Sequence, residues 1–540
     1  MNVKQLREIA DEQFSKRTSL LNFWQTSAEN FYPQRADFTY ARSLGTEFGA
    51  GLMTSYPVIA ARDFMDQLGG MLRPKDKPWF HTVVSDTNLK DSESKRWLEW
   101  ATETQRRAMY DRVSQFTRAT KECDGDYSVF GQGVISVRLN RNADALLYRC
   151  WHLRDMAWKE NAEGKIGCYF RKWKPAARDL VSLFPGKCHQ KAVKLAEKKP
   201  FDEIECLHMI VESEMYDDHA RGKPYYSVYY DCQNEHLIEA APVFNQEYVI
   251  PRWQTVSGSQ YSFSPAIVAA LPDARLLQAM MHTLLEAGEK ATYPPMIATV
   301  DAVRSDIDTR AGGITWIDLE YDERSGEALR TMPIDARGIP LGVEMYDRGQ
   351  NMLSKGFYLD RLKSFHPGQD PQMTAFQAGQ IVSENIRHLL PLFEPTETEY
   401  NAQVCEVTFD LLLRSGAFGS PFDMPKALQG AEIQFKFESP LHDAIEAQKG
   451  QKFLESVGMI KAAAEIDQTA PVVMNVQETL RDVLDGIGCP ARWIRSEAEV
   501  AEIQTAESEA VRPEDIEQAS KLLKDMSAGN KAAGELEATA

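Results

Sequence analysis

The chain predicts a helix-rich α+β protein, and three observations carry that prediction. Two long helical patterns, at 264–290 and 341–364, flank a Gly-punctuated insert with strand-like stretches. A block of alternating strand patterns, at 134–253, follows a run of helical ones without regular βα alternation. A polar loop and another long helical pattern then succeed the pair, so the order is helix, insert, helix, loop, helix.

The first of the paired helices is predicted from Ser264 to Lys290. Ser264 suits the N-cap and Pro265 the first helical position. Ile267, Leu271, Ala274, Met281, Leu285 and Gly288 recur at steps of three and four, and Leu276, Leu277 and Met280 widen the apolar surface. Tyr293-Pro294-Pro295 ends the helix, because proline lacks the N–H and restricts its predecessor. The second helix is predicted over Leu341–Ser364. Gly349 and Gly356 stand seven apart on one face, at a cost of about 1 kcal/mol each against Ala. Together with Gly288 they mark candidate packing sites for a neighbouring helix; a plain helix break at these glycines is the competing reading. Between the pair, Met296–Val300, Gly313–Leu319 and Ala328–Met332 are predicted strands. After it, Phe365–Met373 is a loop containing Pro367, Gly368 and Pro371. Thr374-Ala-Phe-Gln377 has capping-box spacing and opens a helix predicted to reach Ser415, kinked or split at Pro391 and Pro395, with Gly416 as its cap.

Toward the N-terminus, one helix is predicted over 3–30, from Leu6, Ile9, Phe14, Leu20, Leu21 and Trp24. A second covers Pro57–Leu68 and ends at Gly69-Gly70. A third spans Ser92–Arg118 and a fourth Thr120–Phe130. The strand block includes Val134–Arg138, Leu146–His152, Met156–Lys159, Ile166–Trp173, Glu203–Glu212, Tyr225–Asp231, His236–Ala240 and Tyr248–Trp253. Helices at Ala176–Phe184 and Lys187–Lys198 interrupt it. Beyond Ser415, Glu432–Glu438 reads as a strand and 441–488 as helical. The end of the chain is polar and acid-rich, which suits a flexible tail.

The chain has 540 residues and a formal net charge of −18. That length allows two to four domains. Such acidity argues against tight gripping of nucleic acid, which needs clustered Lys and Arg, but does not exclude a protein that lets DNA pass, since like charge on a wall prevents sticking. No run approaches the ~18 apolar residues of a membrane-spanning helix, and the charged N-terminus lacks the apolar core of a secretory signal. The eight cysteines are scattered, without a CxxC pair. They read as free thiols of a reducing cytoplasm, and Cys206-x-His208 is the nearest approach to a ligand pair.

No catalytic constellation, cofactor motif or metal site is predicted. The chain has no GxxxxGK[ST], HExxH or GxSxG. FGAG at Phe48–Gly51 and FGQG at Phe130–Gly133 lack the Lys-Ser/Thr of a phosphate loop. Asp124 and Asp126 flank Gly125 as metal ligands would, but further carboxylates are missing, and a polar helix end is the simpler reading. Trp97, Trp100 and Phe116 read as helical core rather than a base-stacking platform.

Several stretches resemble the portal, or head-to-tail connector, proteins of short-tailed double-stranded DNA bacteriophages. They are LGGMLRPKDKPWF at Leu68–Phe80, FGQGVISV at Phe130–Val137, PRWQTVSGSQYSFSPAIVAALPDARLL at Pro251–Leu277, YPP at Tyr293–Pro295, QMTAFQAGQ at Gln372–Gln380 and FESPLHDAIEAQ at Phe437–Gln448. Ala375–Ala378 departs from the family pattern, and the last forty residues carry none of it. The resemblance implies a portal-type subunit. It places a wing at 1–263, stem helices at 264–293 and 341–364, and a clip at 294–340. A channel loop follows at 365–373, a kinked helix with a wing strand at 374–440, a helical crown at 441–500 and a tail at 501–540.

By the same resemblance, copies of the chain form a ring, typically of twelve, at one capsid vertex. Its channel admits DNA in packaging and releases it in infection. The implied partners are further copies of itself, the major capsid and scaffolding proteins, the terminase motor, the tail adaptor and tail-tube proteins, and double-stranded DNA. The implied location is the virion, and the host cytoplasm during assembly. Candidate DNA-facing residues are His366, Gly368, Gln369 and Gln372; candidate clip contacts are Ile314, Trp316 and Ile317. Two other classes stay open on the residues alone. One is a minor capsid or scaffold protein without a channel; the other is a packaging nuclease, which would need a Mg²⁺-binding carboxylate cluster.

Overall fold

The computed structural model describes residues 1–43, 45–75, 78–84, 92–216, 222–298, 316, 329–332, 338–363, 394–420 and 424–437, with a few short stretches between 456 and 503. Its elements run α1 (Val3–Lys16), α2 (Thr18–Phe31), α3 (Tyr56–Leu72), β1 (Phe80–Val84), α4 (Ser92–Met109), α5 (Phe116–Phe130), β2 (Ile135–Leu139), β3 (Leu146–Cys150), β4 (Met156–Glu160) and β5 (Ile166–Trp173). Then come α6 (Ala177–Leu183), α7 (Gln190–Lys198), β6 (Cys206–Glu212), α8 (Ser213–Tyr216), β7 (Tyr225–Asp231), β8 (His236–Val243) and β9 (Tyr248–Val249). The chain continues with α9 (Leu271–Thr292), β10 (Met296–Ala298), β11 (Leu329–Thr331), α10 (Gly338–Gly356), α11 (Leu359–Lys363), α12 (Gln403–Ser415) and β12 (Ile433–Phe437). The mixture of helix and sheet agrees with the predicted class.

Two compact units divide the chain. The larger comprises Met1–Phe80, Glu103–Gly419 and Phe435–Leu441; the smaller comprises His81–Thr102, Ser420–Gln434 and His442–Ala540. In the smaller unit, Thr102 Oγ1 accepts from Thr82 N at 3.0 Å and donates to Leu98 O at 2.8 Å. Trp97 is buried there, but Trp100 is 47% exposed and does not belong to the core predicted for it.

The larger unit holds an antiparallel five-stranded sheet in chain order, β4-β5-β6-β7-β8, and a three-stranded sheet, β3-β2-β9. Alternation along the strands sorts the five-stranded sheet into two faces. Phe170, Met209 and Val228 lie in register across it. They are buried with Leu6, Ala10 and Phe14 of α1. One residue along, Arg171, His208 and Tyr229 also lie in register, and that row faces the opposite side.

Several predicted boundaries move, each for a local reason. The helix expected over 3–30 is two helices. At Arg17 the side chain turns inward, and its guanidinium donates to the carbonyls of Leu153, at 2.5 Å, and Arg154. The helix expected to end at Gly69-Gly70 runs on to Leu72, because the glycine admits a neighbour: a Cβ on Gly69 would lie 2.9 Å from Asp124 Oδ2. The helix expected over Ser92–Arg118 stops at Met109. Asp111 Oδ1 accepts from Val113 N at 2.8 Å, an Asx-type turn, and Gln115 adopts a left-handed φ of 56°. Gly416, with φ of 80°, caps α12 as expected.

Candidate functional site: the paired helices and their socket

The paired helices are rooted in a socket built from the FGQG motif. Gly131 closes α5 with φ of 81°, and a Cβ there would meet the Phe263 carbonyl carbon at 2.6 Å. Only glycine lets the chain entering the first paired helix pass so close. Gln132 Oε1 accepts from Ser262 N at 2.8 Å. Ser264 Oγ donates to Val129 O at 2.6 Å and accepts from Ile267 N at 3.2 Å, the capping role its sequence position predicts.

From this socket the chain makes a π-helical turn, Ala266–Ala270, before α9. Pro272 explains it. With no N–H for the carbonyl of Val268, and a ring that crowds that carbonyl, a regular α-turn is unavailable. The wider turn lets Leu271 N donate to Ala266 O.

The two helices then run antiparallel in a seven-residue register. A Cβ on Gly342 would lie 2.7 Å from Leu284 Cδ2, one on Gly349 2.8 Å from Leu277 Cδ2, and one on Gly356 3.6 Å from Ala270 Cβ. Three small residues on α10 thus face three residues on the other helix, each step seven. The buried stripe of α9 is Leu271, Ala274 and Leu277. Leu276 and Leu285, expected on the packed face, are each 51% exposed. Gly288 has nothing within 4 Å of a would-be Cβ. The helix expected to continue to Ser364 ends at Gly356. Tyr358 then takes a φ of 57° before the short α11, so the competing reading of a break at this glycine describes the chain there.

Residues 53–56 clasp both helices. Gln278 Oε1 on α9 accepts from Met53 N at 2.7 Å and Thr54 N at 3.0 Å, while Gln278 Nε2 donates to Thr54 O at 2.9 Å. Thr54 Oγ1 lies 2.7 Å from Tyr346 OH, and Tyr56 OH lies 2.6 Å from Ser354 Oγ; Tyr346 and Ser354 both belong to α10. At the far end, β10 and β11 pair antiparallel, Ile297 opposite Arg330. Trp316 is 68% exposed. Ile314, Ile317, His366, Gly368, Gln369 and Gln372 lie outside the described residues, as does most of the strand expected at Gly313–Leu319.

The helix leading away from 394 is held to the body by polar bonds turn after turn. Thr396 Oγ1 meets Tyr127 OH at 2.8 Å; Arg252 donates to both Glu399 oxygens at 3.1 Å; Arg73 donates to Asn401 Oδ1 at 2.9 Å. Further on, Gln105 donates to Cys405 O at 3.0 Å, Tyr148 OH meets Thr408 Oγ1 at 2.7 Å, and Asn245 donates to Asp410 Oδ2 at 2.6 Å.

Asp124 and Asp126 are neither metal ligands nor a polar helix end. Asp124 pairs with Arg73, and Arg35 donates to Asp126 through Nε at 2.9 Å and Nη2 at 2.6 Å. Both carboxylates are buried. Sequence spacing gave no signal, because the arginines stand 51 and 91 residues away. His208 is buried between Tyr248 OH at 2.6 Å and Ser227 Oγ at 2.9 Å, and burial with Arg171 nearby pushes its pKa well below the usual value. Cys206 is a buried free thiol. Among the described residues, no three His, Cys, Asp or Glu side chains gather as a metal would require, and no helix is long and apolar enough to cross a membrane.

The larger unit thus joins two antiparallel sheets to an antiparallel pair of helices, socketed at one end and carrying a short β-ladder at the other. A family model described as "Bacteriophage head to tail connecting protein" matches residues 3–494, and the chain belongs to that family. Over 466 residues the chain is 23% identical to a probable portal protein of Bordetella phage BPP-1, with 84% of this chain and 81% of that one covered. It is 19% identical over 493 residues to a portal protein of Salmonella phage epsilon15, covering 88% and 87%. Among solved structures it matches a chain from the virion of a native gene transfer agent particle at a TM-score of 0.36 and 9% identity, over 74% of this chain and 85% of that chain.

Proposed function

We propose that this chain is a portal subunit. Copies of it, twelve in number, close a ring at one capsid vertex, through whose channel DNA is packaged and released. The observation that carries this reading is the family match across 3–494. The paired helices add physical support. Val268, Leu276, Leu285, Leu341, Met345 and Met352 are each more than half exposed on them. So much apolar surface on two adjoining helices suits burial against another copy. In this reading α9 and α10 form the stem, the segment between them the clip, and 365–373 a loop facing the channel. Terminase docks on the clip side during packaging and tail proteins take its place afterwards.

Light scattering coupled to size exclusion tests the ring. A portal elutes near twelve times the 61.1 kDa subunit mass. A monodisperse monomer under capsid-assembly conditions would refute the reading in favour of a minor capsid or scaffold protein.

A further inference from the structure

The layer between the two sheets is not an apolar core. Arg171, on β5, is 2% exposed. Its Nε is buried with no acceptor among the described residues. The guanidinium lies instead over Trp151 at 3.9 Å, with Trp173 at 5.1 Å and Tyr248 at 5.8 Å. Arg149 stacks on the same indole at 4.2 Å. Trp151 is fixed in place by its own Nε1, which donates to Ser136 Oγ at 2.8 Å.

A third arginine shares the site. Ser136 pairs with Arg149 and Arg138 with Leu147, so Arg138 and Arg149 are diagonal neighbours on one face of the β2–β3 pair. Such diagonals stand about 7–8 Å apart, within reach of long side chains. Arg138 faces Glu247 at 3.8 Å, too far for a hydrogen bond, and Glu247 Oε1 is itself buried without one. His208, 4.0 Å from the same carboxylate, stays neutral. Three guanidiniums thus confront Glu247 and, beside Arg149, Glu122, which Arg118 already pairs at 3.0 Å, so positive charge stays in excess there in a chain of net charge −18. The crowding is felt: burial, and then the charges of Arg171 and Arg138, hold Arg149 below its usual pKa.

An oxyanion is the group that relieves this arrangement. Planar guanidinium donors match phosphate oxygens in pairs, and a charge-assisted bond is roughly twice as strong as a neutral one. Arg138 has 37% side-chain exposure and Arg149 is exposed, so both reach solvent, while Arg171 supplies charge from beneath the indole. We propose that Arg138, Arg149 and Arg171 form a phosphate-group binding site at the edge of the two-sheet body. On binding, Arg138 turns from Glu247 toward the anion. The phosphate is either a free ion or part of a nucleic-acid backbone.

Titration calorimetry of the full-length protein with sodium phosphate, at constant ionic strength, tests the site. Saturable binding is expected. In the surface double variant Arg138→Gln/Arg149→Gln it falls at least about tenfold, the loss of one or two charge-assisted bonds. Arg107→Gln, an exposed arginine paired with Glu103, serves as control and leaves binding unchanged. Arg171→Met weakens binding with the circular-dichroism spectrum intact. A short DNA duplex that displaces phosphate from the wild type, and does not bind the double variant, assigns the site to a phosphodiester; phosphate binding without displacement assigns it to the free ion. Absence of saturable heat, or equal binding by wild type and double variant, overturns the proposal.

Discussion

Gly349 faces Leu277 across the paired helices so closely that a single added methyl would lie 2.8 Å from Leu277 Cδ2. Leu277 is fully buried and has little room to retreat. Gly349→Val is expected to destabilise the fold by about 1–3 kcal/mol, the usual cost of overpacking. Gly288→Ala meets nothing within 4 Å and is expected to gain up to about 1 kcal/mol of helix propensity. Gly356→Ala, in ordinary contact with Ala270, falls between them. Urea titration of the three variants checks the ranking.

Arg73 and Asp124 form a buried pair, with side-chain exposures of 5% and 6%. Arg73→Met strands the carboxylate and is expected to cost about 3–5 kcal/mol. Removing the charge as well, in Arg73→Met/Asp124→Asn, is expected to recover part of that loss. A double variant less stable than Arg73→Met alone would show that the pair does not act through its charges.

Two carboxyl groups shape the response to pH in opposite directions. Burial tends to raise the pKa of Asp37, but the bond from His152, at 2.5 Å between Nε2 and Oδ1, and the neighbouring positive charges prevail and hold it below normal. Its stabilisation is present above the unfolded value of about 3.9 and is lost as pH falls through the folded one. Glu397 is pushed up to about 7, first by burial and then by Glu394. Between its ordinary 4.5 and about 7 the folded chain holds a proton that the unfolded chain releases, so stability falls as pH rises through that window. Asp37→Asn should flatten the acid limb of the stability profile, and Glu397→Gln the limb between those two values. Thermal melts across pH decide both.

Replacing Ile314, Trp316 and Ile317 together with Ser is expected to weaken ring assembly or terminase docking while the α+β body stays folded. Light scattering and an in vitro packaging assay read the two outcomes. Wild-type behaviour in both would remove these residues from the proposed clip contacts.

Shortening Gly368–Pro371 to a Gly-Ser link, in rings that still assemble, is expected to allow packaging to start but not to retain the genome. His366, Gln369 and Gln372 would otherwise offer hydrogen bonds to phosphate oxygens passing the loop. Heads that keep full-length DNA would mark the segment as a simple connector.

Local chemistry was legible in the sequence wherever the partner lay nearby in the chain. Ser264 capped its helix, Gly416 ended α12, and the alternation of β5, β6 and β7 declared their two faces. Long-range partners left no such trace. Nothing near Arg17 announced that its side chain would seek the carbonyls of residues 153 and 154 and so divide the first helix. Gly69 looked like a terminator because glycine ends helices, whereas here it makes room for Asp124 from α5. The glycine register was half visible: the spacing of Gly349 and Gly356 was plain, but Gly342 joined them only once Leu284 was seen opposite. The Arg138, Arg149 and Arg171 cluster was missed because strand pairing assembles it from three separate stretches.

The helix beyond residue 394 is fastened by directional bonds from Thr396 to Asp410, with partners drawn from six separate positions in the body. An oily seam tolerates sliding; donors and acceptors do not. Slipping that helix by one residue would turn its side chains by about 100° and break every one of these bonds together. It therefore has a single rotational setting and no neighbouring one to creep into. Displacing it is therefore all or none, as with a keyed shaft: the bonds hold together or are lost together.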